Sequence, residues 1–152
     1  MSEFPLNYKN VYEIDTTPDA TEPTWATIAA GISSVDPSFD DDTDDTAYYD
    51  GQGFGSNDVT GIKASLTFSG NRLYGDPAQD FIASIAFEVG QKRKTRFRWT
   101  QPDGKQVTGN VTVSDIKITG GDANAKSDFE FKVTFNGKPD VTDTTQGGTT
   151  GE

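Results

Sequence analysis

The sequence predicts a mainly β domain, an antiparallel β-sandwich or barrel with one flanking α-helix. Three observations carry this: apolar and polar residues alternate strictly in two segments, one segment alone has helical spacing with a capping signal, and turn residues separate the runs. A chain of 152 residues suits one domain with a single core.

Along the chain, 11–14 reads as a short strand, and 24–35 mixes a helical spacing (Trp25, Ile28) with strand character, so its type stays open. From 61 to 69, Ile62, Ala64, Leu66 and Phe68 face one way and Lys63, Ser65, Thr67 and Ser69 the other, a strand buried on one side. Asp76 is placed to cap a helix, Pro77 suits its first position, and Gln79 completes a capping box. Ala78, Phe81, Ile82, Ile85 and Val89 then recur at helical spacing until Gly90, predicting about three to four turns. In 92–100, Arg93, Thr95, Phe97 and Trp99 oppose Lys92, Lys94, Arg96 and Arg98. Pro102-Asp103-Gly104 signals a turn. The next run keeps Val107, Val111 and Val113 in phase, then changes parity to Ile116 and Ile118, which a bulge near Ser114–Asp115 or a strand that changes partner would explain. Phe129, Phe131, Val133 and Phe135 form the clearest alternation, and Asn136-Gly137 signals a tight turn.

Composition narrows the chemistry. There is no cysteine and no histidine, so Ser-His-Asp and Cys-His nucleophiles, thiolate or imidazole metal sites and disulfides are all excluded. Neither catalytic residues nor a cofactor is expected. No apolar run approaches the ~18–20 residues of a membrane span, and the N-terminus lacks a signal-peptide pattern, so synthesis in a reducing cytoplasm without membrane insertion is the expectation. The hydrophobic fraction of 32% lies below the globular norm of roughly 45–50%, which calls for either disordered segments or burial completed by partners.

Charge is unevenly placed. Against a total of −11, residues 59–138 carry +4, while 40–58 carry seven aspartates and no base. An acidic run is commonly a solvated loop. Ordering its 19 residues costs roughly 1–2 kcal/mol each, and burying Tyr48, Tyr49 and Phe54 returns about 1.5–3 kcal/mol apiece. The expectation is a loop mobile in the free chain. Three aromatics within seven residues are nevertheless uncommon in a solubility tail, and they point to a segment that orders against a partner. The EF-hand pattern fails, because counting from Asp40 puts Asp45 and Gly51 where Gly and Glu are required. Gly51, Gly53 and Gly55 lack the Gly-Lys-Ser/Thr of a phosphate loop. The basic stripe Lys92, Lys94, Arg96 and Arg98 is either a solvated strand face or a receiver for an acidic segment of another subunit. Binding of nucleic acid by stacking is disfavoured because Phe97 and Trp99 point the other way.

The ordered series TWATIAAGISS, YYDGQGFGSNDVTG, KASLTFSG, GDPAQDFI, RWTQPDGKQVTGNVTVSDI and GGDANAKSDFEFKVTFNGKPDV resembles the major tail tube proteins of long, non-contractile-tailed bacteriophages. The resemblance implies an N-terminal arm over 1–23, a tail-tube β domain over 24–141 and a flexible C-terminal tail over 142–152. It further implies a structural virion protein whose hexameric rings stack into a tube around a tape-measure protein, with tail terminator and baseplate proteins at its ends and DNA passing through during ejection. Localisation would be the virion tail after synthesis in the host cytoplasm. The 40–58 loop, with Asp41, Asp42, Asp44, Asp45, Tyr48, Tyr49 and Phe54, then becomes the assembly element, and Asp115, Asp128 and Glu130 are candidates for acids lining the lumen. Two other readings stay open on the residues alone: a monomeric β-sandwich module binding a receptor or carbohydrate, and a type VI secretion tube protein.

Overall fold

A computed structural model describes residues 4–143 of the chain. Eight strands form one antiparallel sheet: β1 (Val11–Asp15), β2 (Trp25–Thr27), β3 (Ile32–Ala47), β4 (Gly55–Asn71), β5 (Lys94–Thr100), β6 (Lys105–Lys117), β7 (Asp128–Phe135) and β8 (Asp140–Asp143). Their spatial order is β2-β1-β5-β6-β7-β4-β3, with β8 paired to β6. One helix, α1 (Pro77–Ser84), lies between β4 and β5 in the chain.

The sheet curls on itself. Tyr12 on β1 and Phe68 on β4 lie four strand steps apart, about 19 Å in a flat sheet, yet their ring centroids are 5.2 Å apart, edge to face. Phe68 also stacks on Phe131 at 4.7 Å. The two ends of the sheet thus close over one apolar face, giving the mainly β, sandwich- or barrel-like architecture with a flanking helix that the alternation predicts. Leu66, Phe68, Phe97, Val111, Val113, Phe129, Phe131 and Val133 fill the core, and Ala78 and Ile82 of α1 pack onto it. The opposite face of β4, β6 and β7 is polar, with Ser65, Thr67, Ser69, Thr112, Ser114, Lys132 and Thr134 in mutual register.

Several local expectations are met and several corrected. β6 has its bulge between Ser114 and Lys117, and Asp115 sits there at φ 51°. That extra residue moves Ile116 into phase with the core. The 24–35 segment contains a strand and no helical turn. The helix is shorter than predicted, ending at Ser84, because its last turns tighten into i to i−3 bonds (Ile85 N to Ile82 O, Ala86 N to Ala83 O). Arg93 then captures the carbonyls of Ala86, Glu88 and Val113, which removes it and Lys92 from the predicted strand into a 3-10 turn, Gly90–Arg93.

Asn136-Gly137 does not reverse the chain. β7 and β8 both run antiparallel to β6, so the dipeptide is an interruption in one long strand, with Gly137 at φ 83° and the Asn136 N–H donating to Asn110 O. β8 also carries ordered pairing through Asp143, past the start of the proposed 142–152 tail; the rest of that tail lies outside the described residues. At the other end, 1–23 is more than an arm, since β1 pairs with both β2 and β5 and Ile14 is a core residue.

A close contact links α1's approach to the sheet. Asn71 N donates to Gly31 O (2.7 Å), and a Cβ on Gly70 would stand 2.0 Å from that same oxygen. Gly70→Ala is therefore expected to cost about 1–3 kcal/mol through overpacking, read as a lowered thermal midpoint.

Candidate assembly surface

The acidic segment is a hairpin, and the expected loop over 40–58 is corrected accordingly. Asp40 pairs with Lys63 and the ladder continues to Ala47 opposite Gly55, leaving only 48–54 as the loop proper. A backbone ladder that pairs the N–H and C=O groups of both strands offsets the entropic cost of ordering the segment. β4 is 17 residues long, about 55 Å when extended, so the hairpin projects well beyond the curled sheet.

A register shift decides which face each side chain joins. Asp42 pairs with Gly61 and Thr43 with Val59, so Thr60 is the extra residue, and its Oγ1 donates to Asp42 O (3.2 Å). Without the bulge Val59 and Ile62 would point to opposite faces. With it, Val35, Phe39, Val59 and Ile62 share the face continuous with the core. Phe39, Val59 and Ile62 are nevertheless 61%, 55% and 66% exposed. Asp40, Asp42, Asp44 and Asp58 occupy the other face, continuous with the polar side of the sheet. The hairpin is amphipathic, and among the described residues nothing covers its apolar side.

Of the predicted assembly residues, Asp42 and Asp44 lie on the polar face, whereas Asp41 and Asp45 fall on the apolar one, opposite Ile62 and Asn57. Asp45 accepts from the Asn57 side chain, and Asp44 accepts from Thr46 Oγ1. Tyr48, Tyr49 and Phe54 are exposed at the tip, held by a 3-10 turn in which Gly51 N donates to Tyr48 O (2.9 Å) and Phe54 N to Gly51 O (3.1 Å). No three Asp or Glu side chains converge on a metal position among the described residues.

The basic stripe is not a row of uncommitted cations. Lys92 lies 3.9 Å from Glu88. Arg96 Nε donates to Asp15 Oδ2 and Arg98 Nε to Glu13 Oε1, both at 2.7 Å, and the Arg98 guanidinium covers the Trp25 ring at 4.4 Å. Lys94 is exposed beside a polar cleft that Arg96 and Asn110 also line. Asp15 is fully buried, accepting from Thr17 N and Thr24 N as well as from Arg96. Burial pushes its carboxyl up, but the Thr17 and Thr24 N–H groups and the Arg96 guanidinium outweigh that and hold it below the usual carboxylate range. Burial likewise raises Tyr12.

The three proposed lumen acids lie at the same end of the β6–β7 ladder but differ in what they meet. Asp128 pairs with Lys117 (3.4 Å), Glu130 stands in register with Ser69 and Lys117, and Asp115 is exposed at the bulge. The alternation over 61–69 placed Ile62 on the apolar face but as a buried residue, whereas it is exposed, and it did not reach Val59 because the Thr60 bulge breaks the period. Sequence reasoning missed Asp15 because nothing local pairs that residue with one 81 positions away. Gln79 it misassigned: Asp76 does accept from Gln79 N, but the Gln79 side chain turns inward to Leu73 N, Ala30 O and Asn71 O.

No family model matches the chain, and no curated sequence does. Solved structures do. The tail of an empty gene transfer agent particle, with C6 symmetry, superposes with a TM-score of 0.72 at 22% identity, covering 91% of this chain and 99% of that one. The chain shares the fold of that tail protein. A native gene transfer agent virion gives 0.68 at 19% identity over 91% and 99%. The tube-terminating cap of an anti-feeding prophage gives 0.60 at 15% identity over 94% of each chain. In this fold the helix and the polar face lie on opposite sides of the sheet, and the hairpin extends both faces, with Asp40, Asp42, Asp44 and Asp58 on the polar one. No helix among the described residues is long and apolar enough to cross a membrane.

Proposed function

We propose that the protein is a structural, non-catalytic virion subunit that forms hexameric rings stacked into a phage tail tube, the conduit for genome ejection. The observation that carries this reading is a fold shared with a gene transfer agent tail protein over nearly the whole chain, together with a hairpin whose apolar face has no cover among the described residues. Copies of the chain supply that cover, which also explains the low apolar fraction. Exposed sheet edges at β2 and β3 are managed in the same way.

The polar face of the sheet suits a lumen. Tight binding to a nucleic-acid backbone needs cations available to phosphate. Here Arg96, Arg98 and Lys117 are engaged by Asp15, Glu13 and Asp128, so that among the described residues Lys63, Lys94 and Lys132 are the cations left on this face, and they stand among short hydroxyl side chains and the hairpin's Asp40, Asp42, Asp44 and Asp58. DNA would slide past without sticking. A tape-measure protein in the lumen, and terminator and baseplate proteins at the ends, complete the assembly in the virion tail after synthesis in the host cytoplasm.

Negative-stain electron microscopy of the purified chain under polymerising conditions is expected to show rings with a central hole and tubes built from them. A chain that light scattering finds monomeric at every concentration, and that stays so when seeded with tail components, would overturn the reading in favour of a monomeric binding module.

A further inference from the structure

An open groove of about 480 Å³ lies at the base of the hairpin, walled by Tyr12, Ile28, Ile32, Val35, Pro37 and Trp99. Among the described residues its remaining lining is asparagine, serine, alanine and tyrosine, with no charged residue. Trp99 Nε1 donates to Asn10 Oδ1 (3.0 Å), which fixes one wall against the rim. Val35 belongs to both the groove and the apolar stripe of the hairpin, so the two surfaces are continuous.

At the far end of the same hairpin, Tyr48, Tyr49 and Phe54 are exposed, and among the described residues no other aromatic ring lies against them. Their own groove is out of reach. Pro37 and Ala47 are separated by ten residues of continuously paired strand, about 33 Å. We propose that the aromatic tip of one copy's hairpin seats in the groove at the base of the hairpin of a second copy.

Chemistry selects the tip as occupant over the neighbouring aspartates. An uncharged, largely apolar groove penalises an ionised carboxylate that it cannot pair. A tyrosine offers an apolar ring for the walls and a hydroxyl for the Asn and Ser rim, and the volume falls within the roughly 300–1,000 Å³ typical of small-ligand pockets. Because donor and acceptor patches sit at opposite ends of one hairpin, the contact is heterologous and leaves a free patch at each end. Such a contact propagates without closing on a pair. The inference rests on the reading of the chain as a self-assembling subunit and names the residues that join its copies.

Two defective chains test it. A tip variant combines Tyr48→Ala, Tyr49→Ala and Phe54→Ala; a groove variant carries Ala29→Trp, an exposed lining position, with Ser33→Trp as a second version should the first alter the thermal midpoint. By analytical ultracentrifugation each is expected to be monomeric alone, and an equimolar mixture to form a heterodimer that grows no further, since one tip and one groove remain intact. A mixture that stays monomeric overturns the contact. So does a tip variant that polymerises like the unmodified chain, which leaves the tube reading standing; heterodimers from a chain that never forms rings would keep the contact and remove the tube. As a second measurement, a peptide of residues 44–58 is added to the Trp25→Phe chain, where Trp99 alone reports. Its emission is expected to shift on binding and to stay unchanged with the triple-alanine peptide. Unchanged emission with both peptides overturns the proposal, as does a groove variant that fails to assemble while the tip variant still assembles, which would assign the groove to another segment.

Discussion

Replacing Asp15 by alanine is expected to destabilise the fold by about 3–5 kcal/mol, the usual cost of removing one partner of a buried ion pair, read as a fall in the urea midpoint. The carboxylate is fully buried and ties together three parts of the chain: Thr17 N and Thr24 N at either end of the β1–β2 connection, and Arg96 on β5. Arg96 in turn donates to Ala20 O (2.8 Å), so its guanidinium clamps the same connection onto the sheet. Truncation leaves the two backbone donors and the guanidinium without their shared acceptor. Since the folded carboxyl titrates below its unfolded value of about 3.9, its contribution is fully present above that value and is lost as pH falls through the folded one. The stability gap between the unmodified chain and Asp15→Asn should therefore be constant near neutrality and narrow on acidification below about pH 4. A gap that does not change with acid would refute the assignment.

Gln79→Leu is expected to cost about 3–5 kcal/mol despite conserving size and adding apolar surface. Gln79 is 2% exposed. Its Oε1 accepts from Leu73 N (2.7 Å) and Arg72 Nη1 (3.2 Å), and its Nε2 donates to Ala30 O and Asn71 O, both at 3.0 Å. Leucine would strand these groups, and an unpaired buried donor or acceptor costs about 1–3 kcal/mol. Amide hydrogen exchange offers a local readout, because Leu73 should lose protection before the sheet does. If Leu73 exchanges as slowly in the variant as in the unmodified chain, the side chain is not what pins α1 to the end of β4.

Period-two alternation located β4, β5 and β7 and the core they bury, because each has one face in the core and the other outside it, and the parity change after Val113 located the bulge at Asp115. The helix start was legible for a similar reason, since capping is a local interaction. Its end was not, because the last turns tighten into i to i−3 bonds and the segment after Ser84 is held instead by Arg93 through Ala86 O and Glu88 O. Asn136-Gly137 misled because a local turn preference is overridden when both flanking segments pair with the same strand.

The candidate site was half visible. Composition alone marked 40–58 as acidic, aromatic and short of its own burial. The basic stripe looked available in one dimension and is largely committed in three, since Asp15 and Glu13 come to it across 81 and 85 residues.

By itself the sequence determined the strand faces, the helix start, the absence of His and Cys chemistry, and the segregation of charge into the hairpin, because each depends on neighbours or on counts. Tertiary structure alone decided that the hairpin has an apolar side, that Asp15 holds Arg96, and that a groove opens about 33 Å from the tip, since these depend on register and on residues far apart in the chain.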